Sequence, residues 1–207
     1  MLQEFFESIQ GQVLVVGVIL LIFAFIFYMG RKEKVSSKAL TYSAICIGIG
    51  YALNQITLFR MPQGGSITPF SMLFIVLVGY FFGAKQGILA GMAFGLLDLL
   101  INPYVIHPVQ MILDYPLAFG ALGIGALLRK GNIILIYLIG VFGRFVCAVL
   151  SGVIFFGSSA PAAQGALLYS IIYNGSYLLV EAILTCILLS ISPVRKAIES
   201  VKDRIEN

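Results

Sequence analysis

Apolar residues run through this chain in long blocks, and the charged and turn-forming clusters between them cut it into seven pieces. A helix that crosses a bilayer needs about 20 mostly apolar residues. The pattern therefore predicts spans over 12–30, 38–59, 69–84, 86–102, 109–128, 132–156 and 165–192. Because lipid supplies no hydrogen bonds to the backbone, such a chain is an all-α integral membrane protein.

The blocks differ in what interrupts them. The first, Val13 to Gly30, is apolar apart from Tyr28 and holds no ionisable group, which fits a lipid-facing anchor. In the second, Ala44, Gly48 and Ala52 recur every four residues, a spacing that lets another helix approach closely. By spacing alone that neighbour is a helix of the same chain. Gly79, Gly83, Gly87, Gly91 and Gly95 run across the turn between the third and fourth blocks and predict closely packed helices. The fourth block carries Asp98 and the sixth Arg144 at similar depth, so a structural ion pair between them is expected. Arg144, Ala148 and Ser151 share one face of the sixth block, directed into the bundle.

The fifth block is the odd one. It places Asp114, Tyr115 and Pro116 inside a span, since the stretch from Leu117 to Leu128 is too short to cross alone. An ionised carboxylate there costs roughly 3 kcal/mol on insertion scales. Pro116 removes an amide donor and disfavours helix at Tyr115, so the backbone should bend beside the carboxylate. The outward loop 60–68, rich in glycine and turn formers, is either a plain turn or a lid.

Composition and charge refine this picture. Of 207 residues, 60% are hydrophobic and 11% charged, which excludes an ordinary soluble domain. The net charge of +4 does not point to nucleic acid, because Lys and Arg collect at alternate ends of the spans. That asymmetry predicts an outside N-terminus and a cytoplasmic C-terminus in the cell membrane. Glu4 and Glu7 stand where a signal peptide would be basic, so the first span is read as retained. The three cysteines fall inside spans without metal or disulfide spacing, and no phosphate-binding loop occurs. His107 is the only histidine, and neither GxSxG nor HExxH is present, which disfavours an intramembrane enzyme and leaves no metal or cofactor expected.

Asp114, Tyr115, Phe156, Tyr169, Tyr173 and Asn174 all fall in the outer half, as does the loop containing Gly65 and Ser66. The plain structural readings are an interfacial aromatic belt for the tyrosines and an interhelical hydrogen bond for Asn174. Together they also offer one carboxylate, aromatic faces and an amide, a set suited to a small cationic aromatic ligand captured from outside. With only aromatics and an amide near it, Asp114 has that ligand as its expected partner.

Four ordered blocks carry a resemblance. Met61 to Ser66, His107 to Gln110 with Leu113 to Tyr115, Arg144 with Ser151 to Gly157, and Tyr169 to Asn174 resemble the thiamine-specific S components of energy-coupling factor (ECF) transporters. The resemblance covers about residues 38–193 and implies a six-helix bundle that captures thiamine. A transmembrane coupling subunit and two ATPase subunits would power its release inward. It implies ligand contacts from Asp114, Tyr115, Tyr169 and Asn174, with Phe156 where some members stack a tryptophan. It also turns the Ala44, Gly48 and Ala52 stripe into a docking face for the coupling subunit. Ala148 stands where the family usually has a binding histidine, the chain contains no tryptophan, and the first span is an addition. A thiamine precursor or another aromatic amine is the alternative ligand. The implied organisation is an added helix and basic loop over 1–37, the binding domain over 38–193 and a charged cytoplasmic tail over 194–207.

Overall fold

The structure, a computed structural model, describes residues 8–30, 35–161 and 163–206. Each apolar block folds as helix: α1 (Ile9–Met29), α2 (Ser37–Asn54), α3 (Ser71–Phe82), α4 (Ala84–Ile101), α5 (Pro108–Leu128), α6 (Ile133–Phe155) and α7 (Ala166–Ser190). Two short strands, β1 (Phe59–Arg60) and β2 (Ser66–Ile67), pair as an antiparallel hairpin between α2 and α3. A final helix, α8 (Ser192–Glu206), follows α7 directly. The basic loop Arg31, Lys32 and Lys34 lies outside the described residues.

By length and composition α1, α4, α5, α6 and α7 can each cross a membrane. The third block is shorter than expected. Its helix holds 12 residues, about 18 Å at 1.5 Å per residue, well under a bilayer core of about 30 Å. Pro69 and the left-handed Phe70 (φ 60°) delay its start, and Gly83 (φ 93°) ends it in a conformation that suits glycine. Met72, Ile75, Val76 and Val78 are at most 1% exposed, so α3 is the buried axis of the bundle.

The glycine run acts mainly between α4 and α5. A Cβ at Gly91 or Gly95 would collide with the carbonyl oxygen of Phe119 or Tyr115, and one at Gly123 with the backbone of Gly87 and Ile88. Helices in lipid gain nothing from hiding apolar surface from each other, so such close approach is what binds them. Along this contact α5 changes geometry. Pro116 falls inside a π turn over Leu113–Leu117, followed by an α turn and a 3-10 stretch over Leu122–Leu128. The proline lacks the amide that a regular ladder would use, and the wider turn absorbs its ring.

Helix α1 rests on the outside of this pair, with Val15, Phe23 and Ile26 buried in the cluster that includes Leu113, Leu117 and Ala118. Its other face, with Leu14, Leu21 and Phe25, is exposed. The predicted tail is largely the helix α8. Ile198 and Ile205 pack against the core, and Lys202 lies 3.9 Å over the Tyr80 ring while donating to the Arg129 carbonyl at 2.9 Å. Lys38 in turn donates to the Arg204 and Ile205 carbonyls, neutralising the end of α8.

The tight contact predicts unequal tolerance of one added methyl group. Gly123→Ala should lower the thermal unfolding midpoint in detergent by several degrees, reflecting about 1–3 kcal/mol of overpacking. Gly48→Ala, where nothing lies within 4 Å of the new atom, should leave it unchanged. Equal midpoints for both variants and the parent would contradict the packing described.

Candidate functional site

A cavity of about 300 Å³ opens in the half of the bundle that holds the hairpin and the α4–α5 loop. Its depth is set by α5. The π turn carries Asp114 and Tyr115, and both line the cavity. The Asp114 carboxylate accepts a 2.6 Å hydrogen bond from Gln110 Nε2, one turn earlier. Gln110 is fixed on its own account, since it also donates to the Tyr104 carbonyl and accepts from the Ile106 amide. The Tyr115 hydroxyl is likewise committed, accepting from the Tyr104 amide at 2.7 Å and donating to the Asn102 carbonyl at 3.1 Å. Only its ring is free to meet a ligand. Ser151 lines the same wall with its hydroxyl buried and close enough to interact with the Asp114 carboxylate.

The expected ion pair is not formed directly. Asp98 accepts from Asn54 Nδ2 at 2.9 Å and Asn102 Nδ2 at 3.2 Å. The Arg144 guanidinium instead sits 3.9 Å over the Phe119 ring. Two amides satisfy the carboxylate and an aromatic face carries the cation, so neither group requires the other at contact distance. Both still line the cavity, which therefore holds two carboxylates, Asp98 and Asp114, and two guanidinium groups, Arg60 and Arg144.

Helix α7 supplies the opposite wall. The Tyr169 and Tyr173 rings lie 6.0 Å apart. Asn174 behaves as the plain reading expects, donating across to the Ala148 carbonyl of α6 at 3.2 Å as well as to Ser170, and accepting from the Tyr177 hydroxyl at 2.9 Å. It lines the cavity with most of its hydrogen-bonding capacity spent. Phe156, just past the end of α6, stacks on Tyr104 with ring centroids 6.1 Å apart.

The hairpin covers this wall as a fastened flap. The Gln63 amide donates to the Tyr173 hydroxyl at 2.8 Å, and the Tyr169 hydroxyl donates to Gln63 Oε1 at 3.2 Å. Gly65 lies so close to Tyr177 that a Cβ would stand 2.7 Å from its ring, and Ser66 follows on the cavity side. At its base, Glu181 is 3% exposed and accepts from Thr68 Oγ1 at 2.8 Å, the Thr68 amide, Ser71 Oγ and the Met72 amide. It thus caps α3 from another helix, where Phe70 offers no side-chain cap.

The cavity gathers Asp114, Tyr115, Phe156, Tyr169, Tyr173, Asn174, Gly65 and Ser66, and it adds Asp98 and Arg144. Ala44, Gly48 and Ala52 lie elsewhere, on the exposed side of α2, while Ser43, Cys46 and Gly50 face inward. Sequence reasoning missed Gln110, Gln63, Asn54, Asn102 and Tyr104. Gln110 stands four residues before Asp114, a helical spacing that could have revealed it. The others sit at helix ends and in loops, where nothing in the sequence separates them from ordinary caps and turns.

Comparison with known proteins gives a concordant result. Residues 40–200 match the family model described as thiamine transporter protein (Thia_YuaJ). The chain is 35% identical over 153 residues to thiamine transporter ThiT of Bacillus subtilis, covering 64% of this chain and 79% of that protein. It is 29% identical over 121 residues to thiamine transporter ThiT of Lacticaseibacillus paracasei, covering 49% and 60% respectively. Among solved structures, ThiT from Listeria monocytogenes superposes with a TM-score of 0.63 at 28% identity, covering 75% of this chain and 94% of that one.

The flap geometry makes Glu181 its main fastening. Glu181→Leu strands three donors, since Thr68 Oγ1 and Ser71 Oγ keep their 2.7 Å bond to each other, and should cost roughly 3 kcal/mol or more by the usual penalty for buried unsatisfied groups. Hydrogen exchange at residues 63–68 should accelerate together with α3's first turn. Unchanged exchange in both segments would show that the flap is held by other contacts.

Proposed function

The chain belongs to the thiamine transporter protein family, whose members are transporters and not enzymes, and on that premise we propose that it is the substrate-binding membrane subunit of an ECF-type uptake system. It takes thiamine from outside the cell, and a transmembrane coupling subunit with two ATPases drives release inward. The charge asymmetry of its loops supports an outside N-terminus and a cytoplasmic C-terminus. The binding domain is the six-helix part over 38–193, with 1–37 an addition and 194–207 a cytoplasmic segment.

The observation that carries this reading is the Asp114 carboxylate in a cavity walled by aromatic rings. Thiamine is a flat aminopyrimidine joined to a thiazolium cation. Its cation suits the carboxylate and the faces of Tyr115, Phe156, Tyr169 and Tyr173, and its amine suits charge-assisted hydrogen bonding. Gly65, Ser66 and Asn174 complete the contacts from the flap and α7. Ala148 lines the cavity with a single methyl group, which favours as second reading a thiamine precursor or related aromatic amine that fills the extra room.

Docking of the coupling subunit falls to Ala44, Gly48 and Ala52. Support comes from their exposure and from the open space over Gly48. Small residues there let a partner helix approach closely in lipid.

Isothermal titration of the purified protein should show saturable thiamine binding, and Asp114→Asn should weaken it on the order of 10- to 100-fold, the worth of one charge-assisted interaction. Absence of saturation across thiamine and its pyrimidine and thiazole halves would sink the reading. Separately, Gly48→Leu should abolish thiamine uptake by cells while binding to the purified protein is kept. Intact uptake would remove α2 as the docking face.

A further inference from the structure

At the end of the bundle opposite the Asp114 cavity, a second recess of about 610 Å³ lies between the end of α1, the turn into α4, the end of α5 and the start of α6. Its walls are of two kinds. Lys85, Arg129 and Lys130 bring three cationic groups to it, while the remainder is largely apolar, with Ile26, Leu127 and Leu128 prominent. Among the described residues no acidic side chain lines it, and no carboxylate stands within 4.0 Å of these three cations. Helix α4 begins at the same place without a side-chain cap, so its first-turn amides add partial positive charge. In sequence, Gly30 of the recess leads into Arg31, Lys32, Glu33 and Lys34, which carries the same sign further.

Like charges gathered without a counter-charge repel, and the cost grows as water is displaced by apolar walls. An anion relieves it. A soluble phosphate would use the cations alone, yet Leu127 and Leu128 are 52% and 48% exposed beside them, on the outside of a membrane bundle. That pairing of a cationic floor with an apolar, lipid-facing rim matches an amphiphile with an anionic head. Basic pockets between transmembrane helices recognise such head groups.

We propose that this recess binds one anionic phospholipid, its phosphodiester at Lys85, Arg129 and Lys130 and its acyl chains along Leu127 and Leu128. The lipid then mortars the end of α1 to α4 and α5, because Ile26 and Gly30 form part of the same recess. A zwitterionic choline lipid brings its own cation to the three already present and is disfavoured.

The test uses the full chain, purified in neutral detergent, delipidated and examined by native mass spectrometry and thermal unfolding. With equimolar phosphatidylglycerol and phosphatidylcholine, one phosphatidylglycerol should be retained per chain with a preference on the order of tenfold, and the unfolding midpoint should rise with phosphatidylglycerol only. The triple variant Lys85→Gln, Arg129→Gln, Lys130→Gln should lose that preference, whereas Arg195→Gln with Lys196→Gln on α8 should keep it. Equal retention of the two lipids by the parent chain overturns the proposal, as does a triple variant that still prefers phosphatidylglycerol. Deacylated glycerophosphoglycerol that stabilises as well as the lipid also overturns it, assigning the recess to a soluble anion. Should the triple variant not fold, Lys85→Arg with Arg129→Lys and Lys130→Arg must retain the preference, and its loss counts against the site.

Discussion

The backbone contact between α4 and α5 is the constraint on which the rest of this structure depends. In lipid, two helices cannot be driven together by hiding oil from water, so contact strength comes from how closely their main chains approach. Gly87, Gly91 and Gly95 on one side and Gly123 on the other bring the backbones together along most of their length. At the cavity end, this seats Gly95 directly under the Tyr115 carbonyl, within the π turn. The polar ends of both helices, Asp98 with Asn102 and Asp114 with Tyr115, then face one cavity.

Around that cavity, polar groups are almost fully committed to one another. Asn54 and Asn102 hold Asp98, Gln110 holds Asp114, and Gln63 bridges the two α7 tyrosines. Such commitment fixes side chains before any ligand arrives, which lowers the ordering cost of binding. The Arg60 and Arg144 guanidinium groups are the exceptions: both line the cavity, and Arg144 rests on the Phe119 ring.

Much of this was legible in the sequence because lipid enforces simple rules. Long apolar blocks gave the helices, the four-residue glycine run gave close packing, and a carboxylate beside Pro116 marked a bent segment that lines a cavity. What stayed hidden was decided by partners distant in sequence. The Asp98 and Arg144 pairing was inferred from equal depth, but depth does not reveal that Asn54 and Phe119 stand closer. The role of Glu181 rests on Thr68, Ser71 and Met72, more than a hundred residues away. The short α3 was hidden too, since hydropathy does not register a left-handed Phe70.

The last helix changes how the end of the chain should be regarded. Charged residues in a terminal segment invite treatment as dispensable, yet α8 lies across the bundle as a crossbeam. Lys38 of α2 grips one end of it, and its own Lys202 reaches the carbonyl that closes α5. It therefore ties together two helices that are far apart in sequence. A boundary drawn at residue 191 for an expression or fusion protein would remove that beam and bare the Tyr80 ring beneath Lys202. Tags belong after Glu206, where the described helix ends.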